Sequence, residues 1–266
     1  MEPLFSIVTV TLNCAEDAVG TAKSVLQQSL GDYEYVVKDG VSTDGTPDLL
    51  SKMGVKVEIK PDAGIYDAMN QALARCQGEY ICFLNAGDVF VDADVLKDLA
   101  GFIEGRECRP EVIIGDVQDG RFPGRKITYR DKLSKYYLYR ESYTHQACFV
   151  KRSLYLAAGG FCTEFGLMAD YHFLAKVLVG APEKYAHFSR MVVKYKFGGK
   201  SDGPAVQSQL HAERWAIHQQ VFSPQERQRF AFYLFFRLIP LKDAIEFSAT
   251  GKKLIAAWYR IKGWKI

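Results

Sequence analysis

The sequence predicts an α/β protein: a Rossmann-like, mostly parallel sheet with flanking helices and a C-terminal helical extension. Two observations carry this reading. Short apolar runs alternate with helix-period segments from residue 5 to residue 90, the pattern of a doubly wound sheet with right-handed crossovers. Polar residues, mostly acids, stand just past the ends of those runs, where open α/β sheets bind ligands.

The elements follow in order. Phe5 to Thr11 is β-branched and apolar and reads as a strand that ends at Leu12-Asn13. Asp17 to Gln28 reads as a helix with Ala18, Thr21 or Ala22, Val25 and Leu26 inward. Tyr33 to Val37 is the second strand, ending at Lys38-Asp39-Gly40, and Ser42-Thr-Asp-Gly45 opens a short helix to Leu50. Val55 to Ile59 is the third strand. A loop carrying Asp62 then leads into a helix whose Ile65, Met69, Ala72, Leu73 and Cys76 share one face. Tyr80 to Leu84 is apolar throughout, as a strand covered on both faces should be, and runs into Asn85-Ala-Gly-Asp88. Asp92 to Phe102 is a helix.

After residue 104 the alternation breaks down. Val112 to Gly115, Arg125 to Tyr129 and Ala147 to Val150 read as short strands, and residues 184 to 197 as further strands. Asp131 to Tyr143 is polar and aromatic and is expected to be mobile. Arg152 to Ala158 and Leu167 to Val179 are helices, with Gly159-Gly160-Phe161 breaking the first. Phe197 to Gly203 is a glycine-rich loop, with Gly198, Gly199 and Ser201 as hinges of a lid. Helices fill the remainder, interrupted at Pro224 and Pro240. The expected units are residues 1–104 and residues 105–203, two halves of one domain, and a helical, basic-aromatic extension (204–266).

At 266 residues and 30.0 kDa the chain can bury a full core. Six cysteines without a C-x-x-C pair read as free thiols of a reducing compartment. The N-terminus looks like a first strand, with no secretory signal, and no apolar run has the length of a membrane span. Residues 222–266 hold nine Lys/Arg against three acids, a net +6, so residues 1–221 carry −3 of the total of +3. The same 45 residues hold ten of the 35 aromatic side chains. The run from Phe230 to Ile239, with Trp258, Tyr259 and Trp264 among basic residues, suits a membrane-surface element. A helical pair packed on the main domain, or on a dimer partner, is the alternative.

Asn13, Asp39, Asp62 and Asp88 all fall at predicted strand ends and line one crevice if those strands are neighbours. Acids without a basic cradle suit a metal-bound diphosphate together with the N–H and O–H donors of a nucleobase and ribose. No G-x-G-x-x-G or G-x-x-x-x-G-K-[ST] occurs, which counts against dinucleotide and P-loop readings.

In this order the motifs resemble family-2 inverting glycosyltransferases of the GT-A fold, of the type that builds bacterial surface polysaccharides. Ser6-Ile-Val-Thr-Val-Thr-Leu-Asn13 resembles the first nucleotide-binding strand, and Val37-Lys-Asp-Gly-Val-Ser-Thr-Asp-Gly-Thr46 the "DGxSxDGT" segment. Asp62-Ala-Gly-Ile-Tyr-Asp-Ala-Met-Asn70 resembles the stretch before the metal motif, and Phe83-Leu-Asn-Ala-Gly-Asp88 occupies the D-x-D position. His145-Gln146, Gly160-Phe161 and Ala169-Asp170-Tyr171 resemble the acceptor half.

The resemblance implies that residues 1–104 are a donor-binding half and residues 105–203 an acceptor-binding and catalytic half of the same domain, with Asp170 as catalytic base and Glu164 as runner-up. It implies donor contacts from Thr11, Asn13, Asp39, Asp62, Asn70, Asn85 and Asp88, and acceptor-side roles for His145, Gln146 and Tyr171. Asp88 is the metal ligand for Mn²⁺ or Mg²⁺, nearly alone, because Asn85 and Gly87 stand where carboxylates are usual. The implied partners are a UDP- or GDP-linked sugar, a glycan or undecaprenyl-diphosphate-linked acceptor, and the membrane surface, with no nucleic acid. The implied location is cytoplasmic, on the inner face of the cell membrane. A nucleotidyltransferase and a non-catalytic nucleotide-sugar-binding protein with an eroded D-x-D are the competing readings. Sugar and acceptor choice is assigned to side chains between Asp116 and Tyr143.

Overall fold

The computed structural model describes residues 2–120, 122, 124–196, 198 and 203–235. Their centre is a nine-stranded sheet around β1 (Phe5–Thr11), whose apolar, β-branched residues are almost all buried. Beside β1 lies β2 (Tyr33–Asp39), parallel and in full register from Phe5 opposite Tyr33 to Thr11 opposite Asp39. Outside β2 is β3 (Val57–Ile59), and on the other flank of β1 is β4 (Tyr80–Phe83), both parallel. The carboxyl ends of these four strands therefore share one edge, as the strand-end residues predict.

Beyond β4 the sheet becomes mixed. β5 (Val89–Phe90) follows the acidic turn. β6 (Val112–Asp119) carries β7 (Lys126–Ile127) as a short antiparallel partner. β8 (Cys148–Lys151) inserts antiparallel between β4 and β6, and β9 (Tyr185–Tyr195) runs parallel to β6 and antiparallel to β5. The path is β3-β2-β1-β4-β8-β6-β9-β5, and most of its ladder is parallel.

Helices α1 (Ala15–Leu26), α2 (Thr46–Lys52), α3 (Ile65–Leu73) and α4 (Val95–Glu104) follow successive strands. α1 buries Ala18, Thr21, Ala22 and Val25; Leu26, expected inward, is largely exposed. α3 buries Tyr66 as well as Met69, Ala72 and Leu73.

The segment expected to be mobile is ordered. Within it, α5 (Lys135–Arg140) is capped by the Ser134 hydroxyl, which accepts from the Tyr137 amide, and buries Tyr136, Tyr137 and Leu138. His187 on β9 bridges Asp116 (2.8 Å) and Asp131 (2.9 Å), pinning the segment at its start. Its Tyr136, Tyr137 and Tyr143 belong to the core, and Tyr139 packs half-buried against it.

α6 (Arg152–Ala158) ends at Gly159 and Gly160, both with positive φ. A Cβ on Gly160 would collide with the Asn70 side chain, which hydrogen-bonds Phe161 N and O. That clamp ties α3 to the turn before α7 (Ala169–Gly180), and Phe161 packs on Phe83, Tyr155 and Phe173 beneath it.

α8 (Gln207–Val221) and α9 (Pro224–Phe235) close the described chain. Phe230, read as part of a membrane-facing run, is wholly buried against Tyr136, Tyr139 and Phe222. Phe232 and Leu234 are exposed. Residues 236–266, with Trp258, Tyr259 and Trp264, lie outside the described residues, as do Gly199 and Ser201 of the expected lid. All six cysteines are free thiols. No helix among the described residues is long and apolar enough to cross a membrane.

Candidate active site

A cleft of about 860 Å³ opens at the carboxyl edge of β1 and β4. Its floor includes Thr11, Asp62, Asn85 and Asp88; the loop before β8 and the start of α7 supply His145, Gln146, Asp170 and Tyr171.

At the end of β2, Asp39 is fully buried and accepts three hydrogen bonds. Its oxygens accept from the Thr11 hydroxyl (2.6 Å) and from the Ser42 amide (2.6 Å) and hydroxyl (2.7 Å). These bonds hold the loop that carries Ser42, and Asp39 is not among the residues that line the cleft. Asn13, at φ 49°, accepts from Thr43 N through its side-chain oxygen and is exposed beside the same loop. Asp62 pairs with Lys38, whose side chain is wholly buried, so this acid has its own cation. The supposed absence of a basic group near the strand ends is corrected by Lys38.

Asp88 is 3% exposed. One oxygen accepts from Lys196 N (2.8 Å) and the other from Gln146 Nε2 (2.8 Å). Burial pushes its pKa up to about 6, against the pull of those hydrogen bonds, because both donors are neutral. The Lys196 ammonium is engaged elsewhere, with Asp17 at 2.5 Å. Its stem lies over Gly87, where a Cβ would meet Lys196 Cδ at 2.9 Å. The position at which a second carboxylate is usual is thus covered by a lysine stem.

Asp170 stands in the first turn of α7. His145 Nδ1 lies 2.8 Å from Oδ2, and the Tyr66 hydroxyl lies 2.8 Å from Oδ1. On the other side of the imidazole, Asn85 Nδ2 is 3.0 Å from Nε2. With the amide donating, Nε2 accepts, so Nδ1 carries the proton and donates to Asp170. Burial alone would raise the Asp170 pKa. The hydrogen bonds that Asp170 accepts from His145 and from the Tyr66 hydroxyl outweigh it and hold the carboxyl below its ordinary value. His145 and Asp170 keep 19% and 17% side-chain exposure, enough to meet a ligand.

The structure therefore brings Thr11, Asp62, Asn85, Asp88, His145, Gln146, Asp170 and Tyr171 to one cleft. Asn70 is spent on Phe161, and the Tyr171 hydroxyl on Leu138 O and His218, so the side-chain polar groups of both serve the fold. Sequence reading missed Lys38, Tyr66, Lys196 and Arg214. A lysine within an apolar strand was the one available signal, for Lys38.

No group of three His, Cys, Asp or Glu side chains among the described residues could hold a metal ion alone. Asp88 nevertheless fits a shared one. It is a buried carboxylate with only neutral donors, and hard divalent ions are commonly held by one or two carboxylates plus substrate phosphates. Asn85 Oδ1, three residues earlier in the chain, is buried without a hydrogen-bond partner.

The profile of the family described as glycosyl transferase family 2 matches residues 6–160. A PGL/p-HBAD biosynthesis glycosyltransferase of Mycobacterium bovis (strain BCG / Pasteur 1173P2) is 31% identical over 209 residues, covering 75% of this chain and 80% of that protein. Among solved structures, Staphylococcus aureus TarS 1–349 with UDP-GlcNAc superposes with a TM-score of 0.61 at 20% identity. The match covers 74% of this chain and 59% of that one, less than two thirds of its length. The mannosyltransferase PcManGT of Pyrobaculum calidifontis, with GDP-Man and Mn²⁺, gives 0.56 at 19% identity, covering 100% of this chain and 82% of that one. These two show the fold.

Proposed function

The chain belongs to glycosyl transferase family 2 and is a sugar-transferring enzyme of the GT-A fold, and from that premise we propose that it moves a sugar from a nucleotide diphosphate to an acceptor hydroxyl with inversion. Family membership displaces the nucleotidyltransferase and non-catalytic readings. The observation that carries the mechanism is the Asp170 carboxylate, held between Tyr66 and the His145 imidazole and still open to the cleft.

With its pKa below the ordinary range, Asp170 is ionised at neutral pH and can accept the acceptor's hydroxyl proton. Its two neighbours fix the direction of its oxygens. Alignment of the acceptor against the anomeric carbon accounts for much of the rate that proximity can supply. Attack from the side opposite the leaving diphosphate, with one base and no enzyme nucleophile, inverts the centre.

The donor sits along the β1–β4 edge, where Thr11, Asp62, Asn85 and Asp88 line the floor. Asp39 and Asn13 act there by holding the loop that carries Ser42 and Thr43. Asp88 would hold Mg²⁺ or Mn²⁺ jointly with the diphosphate, and such an ion supplies Lewis-acid neutralisation of the leaving group. Gln146 and the Lys196 amide keep Asp88 oriented. The acceptor reaches the other wall, and is a glycan or lipid-linked oligosaccharide of polysaccharide biosynthesis. Residues 236–266 would hold the enzyme to an anionic membrane surface.

The test is nucleoside-diphosphate release from a panel of UDP- and GDP-sugars, with and without Mn²⁺. Product anomer is then read by NMR once a sugar is found. No release from any donor, or retention of configuration, would overturn the proposal.

A further inference from the structure

Resting on the reading of this cleft as a sugar-transfer site, we infer that the acceptor carries an oxyanion, a phosphate ester or a carboxylate, that docks on Arg214. The wall opposite the sheet edge is one face of α8. Gln207, Leu210, His211 and Arg214 line the cleft at the i, i+3, i+4, i+7 spacing of a single helical stripe. Trp215, off that stripe, is 67% exposed to solvent.

Arg214 is half-buried, and its guanidinium is fixed by neutral groups only. Nη2 donates to the Ser142 hydroxyl (2.6 Å), Nη1 to Arg140 O (3.4 Å), and the guanidinium carbon stands 4.9 Å from the Tyr171 ring centroid. No carboxylate among the described residues forms an ion pair with it. The adjacent Glu213 is turned to the amides of Leu167 (2.9 Å) and Met168 (3.0 Å), at the start of α7.

The cleft's other side-chain cation, Lys196, has its acid in Asp17, and the floor acid Asp62 has its cation in Lys38. Between these two cleft-lining cations, Arg214 is the one without an acid among the described residues. A partly desolvated guanidinium without a counter-ion is costly, and its remaining N–H groups form a fork that suits planar or tetrahedral oxyanions.

The Arg214–Tyr171 stack places the cation beside the residue that follows the base, Asp170, on the acceptor's side of the reaction.

The test uses the full chain, freed of metal with EDTA, and follows the Arg214 Nε–H resonance by ¹⁵N NMR, assigned by its loss in Arg214→Gln. Inorganic phosphate and methyl β-glucuronide are the charged probes, and methyl β-glucoside is the neutral control. The expected result is a saturable shift with at least one charged probe and none with the glucoside. In Arg214→Lys, which keeps the charge without the fork, saturation followed on the other shifted amides should weaken about tenfold. Phosphate alone identifies a phosphorylated acceptor, and the glucuronide a uronate. Absence of any saturable shift overturns the inference, as does undiminished anion binding in Arg214→Gln. A shift produced by UDP or GDP with Mg²⁺ and by neither probe assigns Arg214 to the donor and also overturns it. Failure of the sugar-transfer reading would appear separately, as no donor turnover, with the anion titration intact.

Discussion

Asp170→Asn should remove the base while leaving its surroundings almost undisturbed. In place of the carboxylate, the asparagine oxygen accepts from His145 Nδ1, which already lies 2.8 Å away. The new amide then faces the Tyr66 oxygen, and the Tyr66 proton turns to Leu167 O, 3.1 Å from it. Every hydrogen bond survives in a neutral form, so the change exchanges charge-assisted bonds for ordinary ones at a cost of about 1 kcal/mol. The catalytic cost is much larger. Loss of a positioned general base typically removes 10²–10⁴-fold, or about 3–5 kcal/mol of barrier.

Because the folded pKa of Asp170 is depressed, its own contribution to stability is present above the unfolded value and lost as pH falls through the folded one. At pH 7 the variant therefore loses that contribution in full, whereas at acid pH variant and parent converge. The assay is nucleoside-diphosphate release at saturating donor, with and without acceptor, beside thermal unfolding at pH 7. Acceptor-dependent turnover within threefold of the parent, in a folded Asn variant, would refute the assignment of Asp170 as base.

Asp88→Asn should show the opposite relation between stability and function. Its carboxyl is raised to about 6, so the folded state binds the proton more tightly than the unfolded chain, and stability falls as pH rises from about 4 through 6. The ionised group costs on the order of 3 kcal/mol at pH 7 in the absence of metal. The Asn variant should therefore unfold at higher temperature than the parent in EDTA at pH 7 and lose metal-stimulated donor turnover; a lower melting temperature would count against the argument. Gly160→Ala adds a methyl at φ +81° against the Asn70 side chain. It should cost about 1–3 kcal/mol in urea unfolding, with an unchanged m-value, and a neutral result would show that the Asn70–Phe161 clamp yields freely. Truncation after Phe235 keeps α9 and its buried Phe230. It should abolish sedimentation with anionic vesicles without altering the unfolding midpoint, and retained binding would exclude residues 236–266 as the membrane contact.

How much of this was written in the chain itself differs between elements. β1, β2, β4 and α3 were legible because each buries a face, and a buried face imposes a period on neighbouring residues. The crevice was legible because parallel strands end together, so acids after successive strands must meet. α5 was misread: its tyrosines are polar by composition, but burial against α7, α8 and α9 is a property of distant segments. The basic-aromatic run was misread at Phe230 for the same reason.

The sequence by itself determined the local elements, the shared edge and the order of the functional groups along it, because these depend on periodicity and strand polarity. Only the tertiary structure decided what each polar group does. Inserting β8 antiparallel between β4 and β6 carries His145, 60 residues from Asn85 and 25 from Asp170, between the two. The same packing gives Asp62 to Lys38 and Asn70 to Phe161, and leaves Arg214 without an acid. Hydrogen-bond partners across such separations are set by strand order, and no local pattern encodes strand order.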